Sequence, residues 1–241
     1  MSDPFGALSR LARAIAVESV ESPLSLRMCQ ACVGILGMDG GSLTLAYADE
    51  QRVTLCTTDE WSAQLEDLQE VIGEGPSYDA YRDRSIQRLV VDGLAELRWP
   101  LLSDGIKDGL GRCAVFAIPI KPGPQAMGVA TFYQREPGSL LIGDDEAQLL
   151  IDAVGVALVK DPDILDDDSL AKTESWHSRA RVHQATGMVM AQLGITSEDG
   201  IALLRAHAYA HQQNLVAISD DIIARRLDFR TADPDPGDGE P

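Results

Sequence analysis

Three arginines and two rings in the last third of the chain have the types and spacing to hold a polyanion. Arg179, Arg181 and Arg205 can each pair a guanidinium with a phosphate. Tyr209 and His183 carry rings that can stack on an unpaired base. Arg205 and Tyr209 are four residues apart, which makes them neighbours on a helix. Beside them runs a strip of Gln184, Gly187, Met188 and Ala191, small and weakly polar, where a merely solvated face would be full of Lys and Glu. Small residues let a helix backbone approach a ligand closely. The competing reading is that the strip packs against another helix, the commoner use of Ala and Gly on a helix face.

Other reactive types do not assemble into a catalytic set. Cys29-Gln-Ala-Cys32 has CxxC spacing, but it sits in an apolar helical stretch with no second CxxC or His cluster to complete a zinc site. A buried pair of thiols is the expectation, since a redox role needs an exposed thiol of low pKa. His177, His183, His207 and His211 have no evident nucleophile partner, and no metal, phosphate-loop or dinucleotide signature occurs. No enzyme activity, cofactor or metal is expected.

The cationic residues need helices to position them. Val182, Ala185, Val189 and Leu193 recur at core spacing on a helix predicted over 178–193, which Gly194 ends. Thr196, with Asp199 three residues on, predicts the cap of a second helix with Ile201, Leu204 and Ala208 inward. Asn214 predicts the cap of a third, with Val216, Ile223 and Leu227 inward. Short connections suit three packed helices.

Upstream, two helices are predicted within 5–37, broken at Ser22-Pro23, and a turn at 38–41. Strands follow at 42–48 and 52–57, joined by Asp49-Glu-Gln51, then a helix over 59–72. Residues 74–112 read as irregular apart from a short strand at 86–91, and lie over the free face of the sheet, where a small molecule could bind. Strands at 113–120 and 127–134 and a helix over 144–159 complete an α+β domain, an antiparallel sheet flanked by helices, joined to an all-α three-helix module. The predicted divisions are 1–160, an acidic linker and connecting helix at 161–175, the module at 176–230, and a disordered acidic tail at 231–241.

The chain has 241 residues, 45% of them hydrophobic, enough for two cored units, and a net charge of −18. A free-standing nucleic-acid binder is usually basic, so the distribution matters. Residues 1–171 hold 13 basic against 28 acidic side chains (−15), residues 172–230 hold seven against six (+1), and the tail contributes −4. The acidity lies outside the helical module, whose near-neutral balance predicts modest, salt-sensitive binding. The absence of an apolar run of spanning length, of a secretory leader and of a dense cysteine framework predicts a cytoplasmic protein with no membrane partner.

The segments Ser178-Arg-Ala-Arg-Val-His-Gln-Ala-Thr-Gly-Met-Val-Met190, Leu203-Leu-Arg-Ala-His-Ala208 and Leu215-Val-Ala-Ile218 resemble the ANTAR domain. The resemblance implies helices that bind paired RNA hairpins and prevent transcription termination. It implies a functional set of Arg179, Gln184, Ala185, Gly187, Arg205, Ala208 and Tyr209, to which Arg181 and His183 are added on their chemistry. Thr186 stands where the family usually has Lys, and Gly200 and Ser219 where it has Ala, each an expected loss of charge or helix propensity. The segments 68–76, Asp79-Ala80 and Arg98-Trp-Pro100, with the strands at 113–120 and 127–134, resemble a GAF domain, which implies small-molecule binding or dimerisation. Ser77 stands where many such proteins have Cys. Tyr78, Trp99 and Cys113 are the candidate pocket residues, against the bland reading that they are core. The resulting expectation is a homodimeric, signal-responsive regulator that binds structured RNA. The alternative is a ligand-sensing or dimerisation protein whose C-terminal helices only pack against protein.

Overall fold

The computed structural model describes residues 4–17, 22–46, 52–93, 97–161 and 174–230. The chain divides into two compact units, Met1–Ser175 and Trp176–Pro241. The predicted linker and tail fall largely or wholly outside the described residues, as does the turn at 49–51.

In the first unit, α1 (Pro4–Val17) and α2 (Leu24–Leu36) precede β1 (Gly40–Ala46) and β2 (Arg52–Thr57). Then come α3 (Glu60–Ile72), α4 (Pro76–Asp83), β3 (Gln87–Val91) and α5 (Pro100–Gly109). β4 (Cys113–Ile120), β5 (Gly128–Gln134) and α6 (Asp144–Val159) complete it. The five strands form one sheet in the order β2-β1-β5-β4-β3, every neighbouring pair antiparallel.

Side-chain alternation along the strands builds two cores. Leu43, Leu45, Phe116, Ile118, Ala130 and Phe132 point to one face and meet α1, α2 and α6. Leu89, Val91, Val115 and Tyr133 point to the other, against Leu65 of α3 and Leu102 and Ile106 of α5. The sheet is therefore covered on both sides, which is why β4 is buried along its whole length. All five in-phase residues of α6, Ala147, Leu150, Ile151, Val154 and Leu158, are fully buried.

Two expectations for this unit are corrected. The segment 74–112 lies over the sheet face as predicted, but it is built from two short helices rather than irregular chain. Each begins with a proline in its first turn, where the missing N–H costs nothing. The predicted turn at Gly40-Gly41 is instead the start of β1, because a Cβ at Gly41 would lie 2.5 Å from the Phe132 ring and 2.7 Å from the Thr131 carbonyl. The glycines let β1 lie flat against β5.

The second unit is three helices: α7 (Glu174–Leu193), α8 (Ser197–Ala210) and α9 (Leu215–Ile223). Gly194 ends α7 at φ 69°. The Thr196 hydroxyl accepts the Asp199 N–H at 3.1 Å, and the Asn214 carbonyl oxygen accepts the Ala217 N–H at 2.8 Å, so both predicted caps are present. The core is Val182, Ala185, Val189, Leu204, Ala208, Leu215, Ile218 and Ile222. The phase predicted for α9 is corrected: Leu215, Ile218 and Ile222 point inward, while Val216, Ile223 and Leu227 are only half-buried. Leu193, expected in the core, is 37% exposed at the frayed end of α7.

Candidate nucleic-acid interface and the polar face of the sheet

The predicted RNA-binding residues separate into exposed, half-buried and buried groups. His183, Gln184 and Gly187 are exposed on α7 with Ala191 one turn further on, forming the predicted small-residue stripe opposite the core. A Cβ at Gly187 would meet nothing within 4 Å, so the helix backbone there is open to approach. Tyr209 is 44% exposed on α8. Arg205, one turn before it, is half-buried, and its Nε is buried without a hydrogen-bond partner. Arg179 lies on α7, with its side chain outside the described residues.

Ala185 and Ala208 are corrected as contact residues. Both are fully buried in the interior of the second unit, where they hold its helices together. The three departures from the ANTAR pattern are also interior. Thr186 is 5% exposed and its hydroxyl donates to the Val182 carbonyl at 2.8 Å. Ser219 is fully buried and does the same to Leu215 at 2.7 Å. A Cβ on Gly200 would stand 3.2 Å from the Thr186 methyl, so two of the departures touch each other. Gly200 is thus a place where α8 approaches α7 closely.

The sign of the charge on α7 is distinctive. No acidic residue occurs between Glu174 and Glu198, in a chain with 38 acids. Arg181 reaches the third helix, where its Nη1 donates to Asp220 Oδ2 at 2.7 Å. Asp220 was not singled out from sequence, because 39 residues separate it from Arg181 and only the fold joins them. Next to it, Asp221 pairs with Arg226 at 2.7 Å.

In the first unit the candidate pocket residues resolve differently from one another. Trp99 (3% exposed) and Cys113 (fully buried) belong to the core beneath α5. The Trp99 indole donates to Asp79 Oδ2 at 3.1 Å, and Asp79 also holds Arg82 at 2.6 Å and Arg98 at 2.8 Å. The Arg98-Trp-Pro100 segment is thereby tied to α4 through one carboxylate. Tyr78 is half-buried, with the Arg52 guanidinium 4.2 Å over its ring.

Arg52 belongs to a polar group between the sheet and α3 that sequence reasoning missed. Ser42 donates to Glu66 at 2.6 Å, and Arg52 Nη2 lies 3.9 Å from the same carboxylate. Gln69 Oε1 accepts from the Ser77 N–H at 3.1 Å and from its hydroxyl at 2.8 Å. Gln69 Nε2, Thr131 Oγ1 and Arg52 Nη2 are buried without hydrogen-bond partners among the described residues. Buried donors in that condition are costly unless something answers them. The one available signal was the polar half of β1, Ser42 and Thr44, which alternates with Leu43 and Leu45 and is as buried as they are.

The cysteines are all free thiols. Contact with Cys56 and then burial hold the Cys29 thiol well above its ordinary range. Burial pushes Cys32 and Cys113 up to about 12. Among the described residues no cluster of His, Cys, Asp and Glu could hold a metal, and no helix is long and apolar enough to cross a membrane.

No curated protein matches the chain. Among solved structures, the chain is similar to a GAF domain of A. aeolicus nlh2 in an inactive state, at 12% identity over 63% of this chain and 90% of that one, with a TM-score of 0.40. It is similar to the chromophore-binding domain of Stigmatella aurantiaca bacteriophytochrome at 11% identity, over 66% of this chain and 60% of that one, with a TM-score of 0.40. A methyl-accepting chemotaxis protein fragment gives 18% identity over 64% and 97%, with a TM-score of 0.41. The fold assignment rests on the sheet itself, antiparallel and flanked by helices as the residue pattern predicts. The family model for the ANTAR domain matches residues 173–223, the stretch that contains the whole of α7, α8 and α9. The chain therefore carries an ANTAR domain behind an antiparallel α+β domain.

Proposed function

We propose that this chain is a signal-responsive transcription antitermination regulator that binds structured, hairpin RNA through α7–α9, under control of its N-terminal α+β unit. The observation that carries the reading is α7 itself: a helix free of acids from Ser175 to its end, exposing His183, Gln184 and Gly187 in a chain of charge −18. The matching ANTAR model supports it. The polar group around Arg52, Glu66 and Gln69 supports a small-molecule input, because its buried donors suit a ligand that carries acceptors. The role is regulatory rather than enzymatic, cytoplasmic and exercised as a homodimer, so that a few arginines are presented twice to paired hairpins.

The test is a gel shift with a dual-hairpin leader RNA. Binding at low salt that falls steeply with added salt is expected. No shift at low salt, in any oligomeric state or with any ligand tried, would sink the reading. Arg179→Glu with Arg205→Glu should abolish the shift while leaving the fold intact by circular dichroism. If a protein-packing role were the whole function, that variant would behave as the wild type.

A further inference from the structure

We propose that Asp220 is a built-in competitor for RNA phosphate at Arg181, holding the guanidinium in the free protein and setting how tightly the unit binds RNA. The inference rests on the RNA-binding reading above and adds to it a residue that neither sequence motif nor family match assigns.

Three described arginines of the second unit rest on carboxylates: Arg181 on Asp220, Arg226 on Asp221 and Arg230 on Asp228. Two of these pairs are local, five and two residues apart, and merely neutralise the chain end. The Arg181–Asp220 pair is different because it crosses from α7 to α9. Arg181 is also the one of the three that sits on α7, which is free of acids after Glu174, one turn from exposed Gln184.

The geometry allows exchange. The two side chains are 40% and 39% exposed, so a phosphate oxygen can reach the guanidinium from solvent. A guanidinium takes carboxylate and phosphate with the same planar fork of donors. An exposed pair of this kind is worth at most about a factor of five in an equilibrium constant. Phosphate can therefore displace Asp220, but each binding event is reduced by what that pair was worth.

The experiment titrates the full chain against a labelled dual-hairpin RNA by fluorescence anisotropy between about 50 and 200 mM salt, with thermal unfolding recorded in parallel. Asp220→Asn removes the charge and keeps the shape. It should bind about two- to fivefold more tightly with an unfolding temperature lowered only slightly, since the pair it breaks is worth no more than that same factor. Arg181→Gln should bind more weakly and reduce the slope of log K against log salt by about one. Asp220→Asn added to Arg181→Gln should then do nothing, since the arginine it frees is gone. Unchanged or weaker binding by Asp220→Asn while the wild type binds overturns the proposal, and a matching loss of thermal stability would show the pair to be a helix staple. Binding by Asp220→Asn alone, with none detected for the wild type at the same concentrations, upholds the competition provided that wild-type binding emerges when the protein concentration is raised about fivefold; its absence there overturns the proposal. No binding by either overturns both the proposal and the RNA reading.

Discussion

Asp79 ties three side chains of the first unit together. It accepts the Trp99 indole N–H across 20 residues of sequence and holds two arginines at the same time. Both arginines are well exposed, so their share is small; the buried indole is what matters. Asp79→Ala should lower unfolding stability by about 1–3 kcal/mol, because the indole donor is left buried and unanswered. Asp79→Asn keeps an acceptor and should cost less than about 1 kcal/mol. Equal losses in urea melts would mean that the indole bond contributes nothing. The thiols make a second residue-scale case. A thiol whose pKa is raised has less thiolate at any pH below that value, so Cys32 and Cys113, at about 12, are essentially all thiol near neutrality. Cys29 is raised as well, leaving Cys56 as the only partly exposed cysteine. Iodoacetamide at neutral pH should label Cys56 first, and the other three only as fast as the unit unfolds. Rapid native-state labelling of Cys29 or Cys32, read by mass spectrometry, would return the CxxC to redox contention.

Elements differ in how far their residues announce them. α6 and β4 have the bounds predicted from their residues, because α6 carries one strong helical period and β4 is one continuous apolar run, and each is bounded by polar or turn residues. α4 and α5 were not legible as helices: at eight and ten residues they are too short for a period to declare itself, and their opening prolines read as breakers when seen in sequence. α9 has apolar residues on almost every side, Leu215-Val-Ala-Ile218 and Ile222-Ile223, so two phases fit it equally and only packing chooses. Gly200 was legible as a weakness and turns out to be a contact. Ala there would gain about 1 kcal/mol of helix propensity but would set its Cβ 3.2 Å from the Thr186 methyl. Gly200→Ala alone should therefore change stability by less than about 0.5 kcal/mol. Combined with Thr186→Ser, which removes the methyl, it should be more favourable than the sum of the single changes by about 0.5–1 kcal/mol. Strict additivity in that double-mutant cycle would mean that α7 and α8 do not meet at this point.

For the whole molecule the governing quantity is where its charge sits. The α+β unit and the stretch behind it carry −15 up to residue 171, and RNA approaching α7 meets that field as well as the helix. Interactions between exposed charges fade beyond a Debye length, about 10 Å at 0.1 M salt and 30 Å at 0.01 M. Beyond Arg230 the chain carries four further acids, Asp233, Asp235, Asp238 and Glu240. Whatever path residues 231–241 take, they reach no more than about 40 Å from Arg230, so at low salt their repulsion extends over the binding unit. Removing them changes the net charge from −18 to −14 and deletes no residue of α7, α8 or α9. On the RNA-binding reading, the truncated chain should associate with a hairpin RNA roughly two- to fivefold faster at low salt, with little change in dissociation. The gain should shrink towards 0.2 M salt as screening shortens the reach of the repulsion. Surface plasmon resonance across that salt range separates the two rates. A change confined to dissociation would instead mean that the tail touches the bound RNA or the helices that hold it, and long-range repulsion would have to be given up as the reason for expecting an acidic chain to bind RNA only modestly.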